Sequence, residues 1–236
     1  MSLQSFGFFG FLLVVAAVYL HLPQRWQNPF LLAASWYFYA KAMPAMLPVT
    51  IAIAACTYAC GRAMQRHKTA VLRVGVIGLL VILAFFKYNG AFSADGGWQA
   101  VAMPLGISFY VFTAIGYCVD VAVGRAEPEK SPFKFAVFLA FFGHGPSGPI
   151  VRYNQQAPQL DPHSQARKVD LDRFSYGIKR LILGLAKKAI IADQLALIYA
   201  KVASVPAATL PAPILILGYT AYMMQIYFDF SGYSDM

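Results

Sequence analysis

The chain has 236 residues, of which 59% are hydrophobic and 12% are charged, whereas soluble domains have about 45–50% and about 25%. Its mean hydropathy is +0.56. This composition excludes a disordered chain, argues against a soluble globular domain and is typical of a protein with several membrane spans. The net charge of +9 fits basic cytoplasmic loops, so we expect a lipid bilayer as the partner and no nucleic acid.

The apolar stretches predict an all-α fold, a polytopic transmembrane helical bundle with short segments, organised as one membrane domain over residues 1–236. Residues 6–22 lack the basic start and the cleavage site of a signal peptide, so they are expected to remain as the first span. Further approximate spans follow at 29–43, 45–63, 71–88, 103–123 and 210–230. The clearest full-length span among them is 103–123. Residues 133–150 hold an apolar run that is too short to cross alone. A re-entrant segment is the alternative to a crossing there.

The basic residues set the expected orientation, because cytoplasmic loops carry an excess of Lys and Arg. The loop at 62–73 holds four of them, so we place it in the cytoplasm. Arg25 and the segment 125–134 then lie on the same side. The N-terminus and the glycine-containing loop at 89–97 are expected in the periplasm.

Residues 170–192 have the pattern of an amphipathic basic helix, with apolar residues at i, i+3 and i+4 and an N-cap at Asp170 or Asp172. On the other side of the helix, basic residues recur seven apart: Arg173, Arg180 and Lys187. Two interpretations remain open. The helix anchors on anionic lipid, or it docks an acidic acyl carrier or the phosphates of coenzyme A.

A turn rich in glycine and proline, residues 142–149, contains His144. Irregular backbone beside an apolar run normally lines a cavity, so His144 is the candidate catalytic residue, able to move a proton near neutral pH. The alternative is that His144 only hydrogen-bonds to loop carbonyls. Arg152 either holds a phosphate or carboxylate or extends to the membrane interface. The spacing of His, Cys and acidic residues predicts no metal site.

The last predicted span ends in a polar stretch that begins at Asp229. An acidic residue at membrane depth is a functional-site hypothesis, because an unpaired carboxylate there is costly. Asp229, Ser231 and Tyr233 can line a polar tunnel. The alternative is that Asp229 pairs with a basic side chain and shapes the bundle.

An ordered set of short motifs along the chain resembles the membrane-bound O-acyltransferase family, in particular its alginate O-acetyltransferase type. The motifs are Arg25–Asn28 with Ser35–Ala40, Phe86–Asn89, Pro104–Tyr110, Gly116–Asp120, Gly148–Arg152, Lys187–Asp193 and Tyr227–Met236. The chain departs from the family at Phe142–His144, where members usually have Phe-Pro-His or Phe-Pro-Gln.

The resemblance implies a helical shell in the bacterial inner membrane, around a tunnel open to both faces. A cytoplasmic donor, acetyl-CoA, would supply an acetyl group as substrate, with no bound cofactor. Periplasmic acetyl-transfer proteins would pass the group to an exported polysaccharide such as alginate. D-alanyl transfer to teichoic acid from a carrier protein is the alternative within the family. A non-catalytic partner-binding or transport subunit is the alternative outside it.

The resemblance also assigns roles to residues of this chain. Two groups would shape and line the tunnel: Gly148, Pro149 and Arg152, and then Asp229, Ser231, Tyr233 and Asp235. The basic helix 170–192 would recruit the donor. Family members are longer, and their catalytic His, in a Trp-His-Gly context, lies beyond the part that matches this chain. We therefore expect 1–236 to be the N-terminal half and to lack the catalytic base.

Overall fold

The structure is a computed structural model, and it describes most of the chain. The described residues are 6–42, 44, 47–93, 103–104, 106–144, 148–161, 170–206 and 209–236. Every regular element within these ranges is a helix, which confirms the all-α prediction. The helices group into two compact units, Met1–Lys168 and Val169–Met236, and each unit is described by itself.

The first unit contains helices joined mostly by short connections. They are α1 (Phe6–His21), α2 (Gln24–Ala42), α3 (Leu47–Ala63), α4 (Lys68–Ser93), α5 (Ile107–Val123), α6 (Pro132–Ala140) and α7 (Tyr153–Gln156). Helix α5 is the centre of the unit, because it contacts α3, α4, α6 and α7. Its Val111, Ala114 and Cys118 have no exposed surface, and Tyr117 packs its ring 4.6 Å from that of Phe135 on α6.

Among the described residues, one helix is long and apolar enough to cross a membrane by length and composition. It is α4, over Lys68–Gly90. The stretch 103–123, predicted as the clearest full-length span, contains a helix of only 17 residues. That helix is short because the chain passes Pro104 before the N-cap at Gly106. The polytopic bundle and its single domain remain predictions.

Residues 129–144 and 148–160 form the two arms of a hairpin, which meet where the Tyr153 hydroxyl binds Glu129. The outgoing arm is α6, which begins with the Ser131 hydroxyl as its N-cap. The tip is the 3-10 turn Phe142–His144, where the Phe142 N–H donates to Ser35 Oγ on α2 at 3.2 Å. The returning arm ends beside the start of α2, where Asn28 Nδ2 donates to the Leu160 carbonyl at 2.9 Å. Seven residues of α2, about 10 Å of helix, therefore separate the contact at the tip from the contact at Leu160.

The second unit is built from one long interrupted helix and a second helix packed against it. The elements are α8 (Leu171–Ala186), a π-helical segment (Lys187–Ala192), α9 (Asp193–Ala203) and α10 (Ala212–Asp235). Asp170 is the N-cap, since its carboxylate accepts from the backbone N–H groups of Asp172 at 2.9 Å and Arg173 at 3.3 Å. The predicted helix over 170–192 is thus confirmed.

Helices α8 and α10 approach closely at two glycines. A Cβ on Gly184 would lie 2.5 Å from the Gly232 carbonyl oxygen, and a Cβ on Gly232 would lie 2.8 Å from the Gly184 carbonyl oxygen. Real Cβ atoms do not reach these distances without a shift of the backbone. Only glycine at both positions permits the crossing, which brings the charged end of α10 against the π-helical segment.

Candidate functional site

The polar end of α10 carries Asp235, which two basic side chains of the facing helix bind. Lys187 Nζ lies 2.5 Å from one carboxylate oxygen of Asp235 and also donates to Ser231 Oγ at 2.9 Å. The Arg180 guanidinium binds the other oxygen of Asp235 and donates to the hydroxyl of Tyr176 at 3.1 Å. Residues predicted for the tunnel and residues predicted for donor docking therefore contact each other.

A second ion pair lies beside the first. Lys188 Nζ is 2.6 Å from a carboxylate oxygen of Asp229 and 2.8 Å from one of Asp193. The pairing of Asp229, considered above as the alternative to a tunnel-lining role, is thus present, and its tunnel role stays a prediction. Lys188 was not among the predicted site residues. The available signal was its position on the apolar side of the amphipathic helix, seven residues after Leu181, because a charged residue among apolar ones needs a partner.

The π-helical segment explains how two successive lysines, Lys187 and Lys188, both reach α10. In a regular α-helix neighbouring side chains diverge by about 100°. The i→i+5 bonds of a π-helix widen the turn, and such segments are frequent at functional sites. Here the wider turn lets Lys187 and Lys188 both contact α10.

We call the six charged residues of this region the charge network: Arg180, Lys187, Lys188, Asp193, Asp229 and Asp235. The hydrogen bond from Lys187 lowers the pKa of the Asp235 carboxyl, and the charge of Arg180 adds to this. Desolvation acts against the charge of Lys188, but the carboxylates of Asp193 and Asp229 outweigh it and raise its pKa. These shifts favour the charged forms of Asp235 and Lys188, and in the network as a whole three basic side chains face three carboxylates.

Two further predicted site residues lie outside these ion pairs. Tyr233 is half-buried near the end of α10. Arg173, predicted with Arg180 and Lys187 for docking, pairs with Asp170 at 3.3 Å, and 74% of its side chain is exposed. Of the three predicted docking residues, Arg173 is the most exposed.

In the first unit, Arg152 binds a buried carboxylate at the end of α5. Arg152 Nη1 donates to Asp120 Oδ1 at 3.1 Å, and Arg125 Nη1 lies 4.0 Å from the same oxygen. Only 4% of the Asp120 side chain is exposed. Neither Asp120 nor Arg125 was among the predicted site residues, because the sequence gives no indication that residues 32 apart meet.

The loop after α5 is fixed by a second carboxylate, Glu129. Its oxygens accept from the backbone N–H groups of Lys130 and Ser131, both at 2.8 Å, and from the Tyr153 hydroxyl. Lys134 Nζ lies 3.3 Å away. Burial opposes ionisation of Glu129, but these donors outweigh it and lower the pKa of the carboxyl. This cluster, which sequence reasoning also missed, joins the two arms of the hairpin at its base.

The predicted catalytic candidate, His144, lies at the tip of the hairpin. Its ring stands at 82° to that of Phe141, with 5.4 Å between the ring centres. Its carbonyl accepts from the Gly148 N–H at 2.7 Å. Gly148 is buried, Pro149 is exposed, and a Cβ on Gly148 would overlap the His144 carbonyl. The turn between them lies outside the described residues, and the catalytic role of His144 stays a prediction.

The residues that the structure describes contain no group of three or more His, Cys, Asp or Glu side chains arranged to hold a metal ion.

Comparison with known proteins confirms the resemblance drawn from the motifs. Five relatives named as probable alginate O-acetylase AlgI align with 97% of the chain at 33–37% identity. The protein of this name from Pseudomonas syringae pv. tomato is 37% identical over 246 residues, and the match covers 46% of that protein. No family model matches the chain.

Two more distant relatives carry other acceptor names. A peptidoglycan O-acetyltransferase from Helicobacter pylori is 28% identical over 98% of the chain and 50% of its own length. A teichoic acid D-alanyltransferase from Lacticaseibacillus rhamnosus is 28% identical over 72% of the chain and 42% of its own length. All of these relatives are named for acyl transfer, the class that the motifs predicted. The chain spans about half the length of the relatives it matches.

Proposed function

We propose that this chain forms part of a membrane O-acyltransferase. It moves an acetyl group from a cytoplasmic donor, acetyl-CoA, across the membrane for O-acetylation of an exported polysaccharide such as alginate. The alignment of nearly the whole chain with alginate O-acetylases carries this proposal. Periplasmic acetyl-transfer proteins receive the group, and the bacterial inner membrane holds the chain with its N-terminus in the periplasm.

Contacts within the first unit support the cytoplasmic side of this arrangement. The Tyr58 hydroxyl donates to the Lys130 carbonyl at 2.8 Å, so the end of α3 meets the basic segment 125–134. Asn28, close to Arg25, binds Leu160. The first contact joins two segments that the distribution of basic residues independently assigns to the cytoplasm, and the second brings Leu160 beside the segment that contains Arg25.

The hairpin with arms 129–144 and 148–160 supports a re-entrant segment. Its arms meet at the base through Tyr153 and Glu129, and its tip reaches Ser35 on α2. A segment of this shape enters and leaves on one side, and at its tip Phe142 is buried against α2 while His144 is half-buried. It brings Gly148, Pro149 and His144 to the wall of the proposed tunnel.

Deletion of the gene in its native host tests the proposal. We expect the exported polysaccharide to lose its O-acetyl groups, measured by proton NMR of the purified polymer, and a plasmid copy to restore them. Membranes supplied with radiolabelled acetyl-CoA should label the polymer. Unchanged acetylation in the deletion strain would refute the proposal.

The D-alanyl alternative has one specific observation in its favour, the teichoic acid D-alanyltransferase relative. Supplying the same membranes with carrier-bound labelled D-alanine separates the two donors, because only one should label the polymer. Solute uptake by the reconstituted protein without acyl turnover would favour the transport subunit instead.

A further inference from the structure

The two groups of ion pairs differ in charge balance. The charge network of the second unit pairs three cations with three carboxylates, so no charge is left over. At the end of α5, by contrast, Arg125 and Arg152 face a single carboxylate, Asp120. Within this group of ion pairs one positive charge remains, and an anion is the ligand that it would attract.

Asp120, Arg125 and Arg152 consist of one buried carboxylate and two arginine side chains that are partly exposed to solvent. Asp120 is almost completely buried, whereas 54% of the Arg152 side chain and 57% of the Arg125 side chain are exposed. A guanidinium has five N–H donors in a planar fork. Arg152 uses one of them on Asp120, which leaves the outer edge of the fork available to a second acceptor.

Both arginines come from backbone that is fixed in place. The backbone N–H groups of Arg125 and Ala126 donate to the Asp120 carbonyl at 2.8 and 3.2 Å, which folds the chain back over the end of α5. Arg152 immediately precedes Tyr153, whose buried side chain is bound to Glu129. The charge of Glu129 is matched by Lys134, so it does not cancel the surplus at the arginines.

We propose that Arg125 and Arg152, held by Asp120, form a phosphate-binding pair that receives a phosphate group of the cytoplasmic acyl donor. Paired guanidinium forks match the geometry of phosphate oxygens, and such charge-assisted hydrogen bonds are strong. The inference rests on the proposed function, since coenzyme A carries the phosphates and the segment 125–134 is assigned to the cytoplasm. Anionic lipid headgroups offer the same phosphate chemistry, so the experiment must distinguish the two sources.

The test measures the Kd of coenzyme A for the full chain in phosphatidylcholine nanodiscs at fixed ionic strength. Arg125→Gln keeps the Asp120–Arg152 pair but removes the surplus charge. We expect this variant to raise the Kd about tenfold, the loss of one hydrogen bond to a charged group. Arg66→Gln removes the same charge from an exposed position in the other basic loop and should leave the Kd unchanged.

A double variant tests whether coenzyme A binding depends on the placement of the two arginines or only on the net charge of the site. Asp120→Asn with Arg152→Gln removes one charge of each sign, so the net charge is kept and neither partner is left buried and unpaired. If both guanidinium groups bind the phosphate, the affinity for coenzyme A should fall about tenfold in this variant as well. A Kd equal to that of the unmodified chain would show that only net charge matters and would overturn the pair. Thermal unfolding of each variant confirms that it is folded.

Three other outcomes would also overturn the inference. The first is that the unmodified chain binds no coenzyme A. The second is that Arg173→Gln weakens binding while Arg125→Gln does not, which would assign the donor to the amphipathic helix. The third is that the arginine variants lose only their affinity for nanodiscs that contain phosphatidylglycerol, which would assign the pair to lipid.

Polysaccharide acetylation is scored separately. Its absence in the unmodified strain refutes the proposed function. Normal acetylation with unchanged coenzyme A binding in the variants refutes the pair alone.

Discussion

At the scale of single residues, the loop between α5 and α6 depends on Glu129. Its side chain is only 12% exposed, and it receives two backbone N–H groups and the Tyr153 hydroxyl. Replacing it by a neutral glutamine weakens these bonds, because hydrogen bonds to a charged group stabilise more than neutral ones do. We expect Glu129→Gln to lower the free energy of unfolding at pH 7 by about 1.5–3 kcal/mol, measured by thermal unfolding in detergent.

The pKa of Glu129 gives the same residue a pH signature. Its pKa is lower in the folded chain than usual, so the ionised carboxylate stabilises the fold at any pH above about 4.3, the value for an unperturbed Glu. This contribution is lost as the pH falls through the lowered folded pKa. Between pH 7 and pH 3, the free energy of unfolding should therefore fall more steeply in the unmodified chain than in Glu129→Gln. Glu127→Gln, exposed in the same loop, is the control, and identical acid profiles for Glu129→Gln and the unmodified chain would contradict the assignment.

At the scale of helices, the crossing of α8 and α10 depends on small residues. Gly184→Ala places a methyl group against the Gly232 carbonyl and Met236, so the helices must move apart. Overpacking of this kind costs about 1–3 kcal/mol. Gly177→Ala lies on the same helix with open space around its Cβ, and it should stabilise the helix slightly because alanine is the better helix former. Equal thermal midpoints for the two variants would show that the crossing is not tightly packed.

The ion pairs of the π-helical segment make a second test at this scale. Lys187 and Asp235 are partly exposed, at 33% and 14% of their side chains, so their mutual coupling should be modest. A double-mutant cycle with Lys187→Met and Asp235→Asn should give a coupling energy of about 1 kcal/mol. Lys201→Met, exposed on α9, combined with Asp235→Asn is the matched control and should give additive effects. A coupling energy near zero in the first cycle would mean that Arg180 alone binds Asp235.

The sequence predicted the helices better than their contacts. The apolar periodicity and the Asp170 cap located α8, since both signals are local. The short α5 was not anticipated, because hydropathy counts the residues around Pro104 as part of a span although the helix starts only at Ile107. Pairs such as Asp120 with Arg152 depend on how distant segments pack, which no local pattern encodes.

At the scale of the whole molecule, topology ties these features to function. The phosphate-binding pair, the base of the hairpin and the loop at 62–73 must all face the cytoplasm if a cytoplasmic donor is to reach them. The C-terminal end of α4 must face the periplasm, because α4 is the described helix long enough to cross. Four exposed positions sample these regions: Arg66, Lys130, Asn154 and Tyr88.

Cysteine labelling decides the topology. In a background with the three native cysteines replaced by alanine, each position is changed to Cys singly and treated with a thiol reagent that does not cross membranes. Arg66→Cys, Lys130→Cys and Asn154→Cys should react only in inside-out vesicles, and Tyr88→Cys only in right-side-out ones. Lys130 and Asn154 flank the hairpin, so labelling on one side supports a re-entrant segment. Labelling on opposite sides would mean that the chain crosses between them, and Arg125 and Arg152 could then no longer share Asp120 at one membrane face.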